Sequence, residues 1–123
     1  MVIKLAWGVL ALIHLLPAVA LVRPSLLSSL YGVDAGSPVY LLIWHRAALF
    51  AMAVVICIWA ALRPEVRPLA SVAMTISMVG FLLLFLLNGS PPNLRTIALV
   101  DFAGLPFLAI AAWDALRSGA LRQ

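Results

Sequence analysis

Four ionisable side chains stand well inside long apolar stretches of this chain: His14, His45, Arg46 and Asp101. Groups of these kinds shift protons or stabilise a developing oxyanion when they converge in a medium of low dielectric. Arg46 cannot shed its proton and needs a counter-ion, and Asp101 is the acid set deepest in an apolar run. An Arg46–Asp101 contact is therefore expected, with His45 or His14 as a further partner. His45, Arg46 and Asp101 form the candidate catalytic set, suited to isomerisation or redox chemistry on a lipid-soluble molecule. His14 and His45 are also candidate cofactor ligands, because two facing histidines, or one with an open position, can hold a haem iron. Against haem stands the plainer expectation that each histidine is a hydrogen-bonded polar group of a packed interior. The sequence has no H-x-x-H, no C-x-x-C and no carboxylate cluster, so no metal site is expected.

These residues need elements to hold them, and the apolar runs supply them. Stretches at about 3–22, 39–62, 69–87 and 96–116 are each close to the ~20 residues that a helix needs to cross a hydrocarbon core. Backbone amides in lipid must be satisfied within the segment, which makes these stretches helices. Arg23-Pro24, the run Arg63-Pro64-Glu65-Val66-Arg67-Pro68 and the run Asn88-Gly89-Ser90-Pro91-Pro92-Asn93 separate them. In the longer first link, Ser25 to Tyr31 reads as a short interfacial helix stopped by Gly32. Short links make successive helices antiparallel, so the fold expected for residues 1–123 is one all-α domain, an integral membrane four-helix bundle running up-down-up-down.

Depth can be counted along the spans. His14 lies eight residues before the far end of the first, His45 and Arg46 six and seven residues into the second, and Asp101 five residues into the fourth. At 1.5 Å per residue all four sit roughly 8–12 Å below the same boundary. Around that layer Tyr31, Trp44 and Asn93 are candidate substrate-binding residues, with Tyr40 and Asn88 near its rim. Gly104, three residues after Asp101, allows a neighbouring helix to come close, and Pro106 frees the carbonyl of Phe102. Ala47 and Ala51, and Ala73, Ser77 and Gly80, have the small-residue spacing of helix contact faces.

Composition sets the outer bounds. The chain is 66% hydrophobic and 10% charged, too few charges to cover a water-soluble globule, so the lipid bilayer is its expected solvent. Its net charge of +4 comes from basic residues mostly at span ends, without the aromatic-interleaved basic stripe that nucleic acid requires. Lys4, Arg63, Arg67, Arg117 and Arg122 fall on one side and Arg23 and Arg95, with Asp34, on the other. The positive-inside rule then gives a multi-pass protein of a bacterial inner membrane with both termini cytoplasmic. Trp7, Trp59 and Trp113 read as interfacial anchors on the cytoplasmic side. Lys4, the apolar run and Ala18-Val19-Ala20 resemble a signal peptide, but the segment is read as a retained helix. Cys57, the single cysteine, lies in an apolar run and reads as a small packing residue.

Leu30-Tyr31-Gly32-Val33 before the second span, His45-Arg46 within it, Ser77-Met78 in the third, and Asn93 with Asp101 around the start of the fourth together resemble the small bacterial four-helix proteins grouped as DoxX-like. The resemblance covers most of the chain. It implies the four-helix fold; some members are tied to quinone-linked sulfur oxidation, so it implies fold more than function. The functional expectation is a membrane protein holding a small apolar ligand or cofactor against the His14/His45/Arg46/Asp101 layer, with catalysis as an isomerase or redox enzyme. The alternative is a non-catalytic structural or accessory subunit. So small a bundle has little interior, and a homo-oligomer is expected.

Overall fold

A computed structural model describes the backbone of residues 1–120 and the side chains through Ser118. Arg122, counted above in the charge balance, lies outside the described residues. The helices are α1 (Val2–Val19), α2 (Ser25–Tyr31), α3 (Pro38–Leu62), α4 (Arg67–Leu87) and α5 (Arg95–Ala120), with single 3₁₀ turns at Pro64–Val66 and Pro92–Leu94. All but α2 belong to the four segments long and apolar enough to cross a membrane. The chain is thus an all-α, multi-pass membrane bundle. The end that holds Met1, the α3–α4 turn and the end of α5 is termed proximal here; the end with α2 and the α4–α5 link is distal.

Local chemistry sets the boundaries. The first helix stops at Val19, short of the expected Val22, because Pro17 has no N–H to give the carbonyl of Ile13 and disrupts the last turn. α2 forms as expected and ends at Gly32, whose φ of 65° is left-handed and whose N–H bonds the Ser28 carbonyl. Ser37 caps α3, its hydroxyl accepting from the Val39 N–H at 3.2 Å, and Pro38 follows in the first turn. At the start of α4 Pro68 also sits in the first turn, so a proline read as a break instead opens the helix.

The core is built around α1, which lies against α3 and α5, while α4 lies mainly against α5 and less extensively against α3. Trp7, Leu10 and Ala11 of α1 meet Ala53, Cys57 and Ala60 of α3, Met74 and Met78 of α4, and Leu108 and Ala111 of α5. In lipid, burying apolar surface gains little over contact with acyl chains, so close packing over small residues holds such helices together. Gly104 is the tightest point: a Cβ there would lie 2.6 Å from Met78 Cε and 2.7 Å from Ile13 Cδ1. The close approach expected at Gly104 is therefore real, and it joins α5 to both α1 and α4. Gly80, by contrast, has open space around it and marks no contact.

Two expectations about the tryptophans divide. Trp59 and Trp113 are exposed near the proximal end, as anchors there would be. Trp7 is 0% exposed and belongs to the core, so it is no interfacial anchor. Its neighbours at helical spacing, Leu10, Ala11 and His14, are buried with it and define the inner face of α1.

Candidate functional site

α1 brings His14 to the distal half of the bundle, 2% exposed. Its Nδ1 donates to the Leu10 carbonyl at 2.8 Å, which fixes the tautomer of the neutral ring and leaves Nε2 with a free lone pair. Phe50 of α3 lies beside it, ring centroids 5.8 Å apart. Arg46, one turn before Phe50, places its guanidinium 5.2 Å from the Phe50 ring and 5.3 Å from the Phe81 ring of α4. A row of planar groups thus runs from His14 through Phe50 and Arg46 to Phe81, linking α1, α3 and α4. Cation–π attraction of about 1–2 kcal/mol per desolvated contact holds the guanidinium there.

The expected Arg46–Asp101 contact does not form. Among the described residues Asp101 has neither an ion pair nor a hydrogen bond, and Arg46 is held by the two phenyl rings instead. The two charges still act on each other and on Tyr31. Burial is the largest influence on the Tyr31 phenol and pushes it above its ordinary value; Arg46 works against that rise and Asp101 adds to it. Tyr31 therefore remains a protonated donor.

His45 is not part of the assembly. It is exposed on the outer side of α3, because adjacent residues on a helix point about 100° apart and Arg46 takes the inward position. The facing His14/His45 pair that would clamp a haem iron is absent, and no group of three or more metal-ligating side chains occurs among the described residues.

The remaining residues surround a cavity of about 520 Å³ between α1 and α5, roofed by α2. His14, Tyr31, Asn93, Thr96 and Asp101 supply its polar wall; Ile13, Leu16, Phe50, Ile97 and Val100 supply much of the apolar wall. Pro17 also lines it, and this proline has no N–H to give the Ile13 carbonyl. Sequence reasoning missed Thr96, Phe50 and the α1 flank. Their signal was Pro17 three residues after His14, and Ile97 one turn before Asp101 on the same helix face, with Thr96 beside it.

Trp44, expected to wall a pocket, does not line this one. Its indole N–H donates to the Leu21 carbonyl at 3.0 Å and fastens the chain leaving α1. Tyr40 acts likewise, its hydroxyl donating to the Pro24 carbonyl at 2.9 Å. Asn88 bonds the Leu84 carbonyl and finishes α4. Tyr40 and Trp44 secure the roof.

At the proximal end a second charged group went unforeseen. Arg67 donates from Nε to the Ala60 carbonyl at 3.0 Å and from Nη1 to Asp114 at 2.9 Å, tying α3, α4 and α5 together. No family model matches the chain, and no curated protein or solved structure matches it either.

Proposed function

We propose that this protein binds a small, largely apolar molecule in the distal cavity, with a polar part of that molecule against His14, Tyr31 and Asp101. One observation carries the reading. The polar groups of Tyr31, Asn93, Thr96 and Asp101, and Nε2 of His14, all border one cavity, and none has a hydrogen-bond partner among the described residues. Tyr31 and Asp101 are half-buried and Asn93 and Thr96 exposed, so these groups open onto the cavity instead of pairing with one another. Groups left open towards a shared space are arranged for something that occupies it. Catalysis at the same place, isomerisation or redox transfer, would use His14 Nε2 as proton acceptor and Tyr31 as donor. Kinship with the DoxX-like proteins belongs to this proposal and rests on the sequence resemblance alone.

Native mass spectrometry of protein taken from its own membranes in nanodiscs tests the reading. A bound small molecule is expected on the wild type, with occupancy falling in Asp101→Ala and Tyr31→Phe while the helical circular dichroism is kept. Wild-type protein that carries nothing beyond bulk lipid sinks it. An absorption spectrum of the same sample decides on haem, through a Soret band lost in His14→Ala.

The accessory-subunit reading has an observation of its own. His45 is exposed on an apolar helix face, where a polar ring in lipid is costly unless another chain covers it. A homo-oligomer or a partner subunit over α3 would do so, and His45→Leu should then shift the assembly mass in nanodiscs. The same proposal puts the proximal end in the cytoplasm of a bacterium, supported by Lys4, Arg63, Arg67 and Arg117 at that end against Arg23 and Arg95 at the other. Impermeant thiol labelling of Cys57→Ser protein carrying a cysteine at Ser118 or at Ala35 checks it.

A further inference from the structure

Resting on the binding reading above, we infer that the cavity receives the head of an uncharged lipid alcohol, admitted sideways from the bilayer between α1 and α5. The route follows from the character of the cavity's open sides: at the distal rim the exposed lining residues Ser29, Asn93 and Thr96 are polar, whereas the exposed residues of the flank are apolar. The roof is fastened: Leu27 of α2 is fully buried, Tyr40 and Trp44 bond the backbone just before α2, and Ser28 bonds the Val33 carbonyl just after it at 2.8 Å. The flank between α1 and α5 is not. Leu12, Leu16 and Val100 line the cavity yet are 66%, 58% and 43% exposed, so they stand at its mouth. That mouth opens on the side of two membrane-spanning helices, where the neighbours are acyl chains.

The head follows from donors and acceptors. Asp101 and Nε2 of His14 accept; the Tyr31 and Thr96 hydroxyls and the Asn93 amide can donate as well. A hydroxyl both donates and accepts, and so meets both sets. An ammonium can only donate, and the charge of Asp101 is already opposed by Arg46. A carboxylate or phosphate can only accept and would meet Asp101 with like charge, while the guanidinium of Arg46 is held between Phe50 and Phe81. A volume of about 520 Å³ suits a small-molecule-sized group, so the remainder of a long chain extends through the mouth into the bilayer.

The test uses the full chain in phosphatidylcholine vesicles with three photoactivatable probes of equal chain length: a long-chain primary alcohol, a primary amine and a carboxylic acid, each with its diazirine midway along the chain. Labelled peptides are mapped by mass spectrometry, with unlabelled alcohol as competitor. The alcohol should label the strongest, at Leu12, Leu16 and Val100, and labelling should fall about tenfold in Asp101→Ala, the loss that removing one charge-assisted hydrogen bond predicts. Tyr31→Phe, outside the spans, should weaken labelling in the same direction and guards against misfolding of the first variant. Stronger competed labelling by the amine or the acid overturns the alcohol head. Competed labelling at Leu30 and Asn93 in place of the α1–α5 flank overturns the sideways route. Labelling that unlabelled alcohol does not displace, and that both variants leave unchanged, overturns the binding reading itself.

Discussion

At the proximal end, Arg67 and Asp114 meet at 2.9 Å with side chains only 12% and 25% exposed, and Arg67 also holds the last turn of α3. At the distal end, Arg46 and Asp101 feel each other's charge without touching: the guanidinium rests on two phenyl rings and the carboxylate faces a cavity. One arginine–aspartate couple closes a three-helix joint; the other is kept apart around a space. The contrast teaches that an acid inside this bundle can find a cation when the fold needs one. The separation at the distal end is thus a property of that site, and the proposed ligand reading draws its force from the comparison.

The strongest way to break the comparison is to remove each acid. Asp114→Ala strands a largely buried Arg67 and should lower unfolding free energy by about 3 kcal/mol in reversible detergent titration. Asp101→Ala removes a group with no protein partner among the described residues and should cost less than about 1 kcal/mol. Equal losses would make both couples structural and end the argument. Next comes Phe50→Leu, which takes one ring from Arg46 and the neighbour from His14; a loss of about 1.5 kcal/mol in the same titration is expected. Arg46→Met in the Phe50→Leu background should then cost less than it does alone, because the coupling is already gone.

The roof should be weaker than the proximal couple. Trp44→Phe deletes the bond to the Leu21 carbonyl and should cost about 1 kcal/mol, while hydrogen exchange at residues 25–31 quickens. The smallest effect concerns Tyr31. Its phenol is raised above 10.0, so its contribution is complete below that pH and is lost only as pH climbs through the raised value. Phenolate absorbance in detergent, compared with Tyr31→Phe, should show this tyrosine ionising above pH 10.0. Ionisation below it would place Tyr31 outside the shelter of the cavity.

Much of this was legible in the chain. Counting residues along apolar runs gave the helices, and the same counting put His14, Arg46 and Asp101 at one depth. Depth is a linear quantity and survives without tertiary information; azimuth does not. His45 and Arg46 were both assigned inward although neighbours on a helix diverge by about 100°. The stripe Arg46, Phe50, Ala53, Cys57, Ala60, spaced four, three, four and three, points one way and leaves His45 off it. Arg67–Asp114 escaped notice because only the acid deepest in an apolar run, Asp101, was weighed as a partner for an arginine. Counted from the proximal boundary Asp114 falls near Arg67, as readily as the distal residues fall together. The phenyl rings that replace a counter-ion at Arg46 were beyond sequence reading, since they come from two helices whose rotation only packing decides.

The early stop of α1 also bears on the surrounding lipid. α1 has 18 residues where α3 has 25 and α5 has 26, so the central helix is roughly 27 Å long and the flanking ones nearly 40 Å. A hydrocarbon core of about 30 Å is slightly thick for the first and thin for the others. The bilayer must therefore pinch along the α1 side, drawing the headgroup layer down towards α2. Hydrophobic mismatch of this one-sided kind sorts a protein towards thinner membrane.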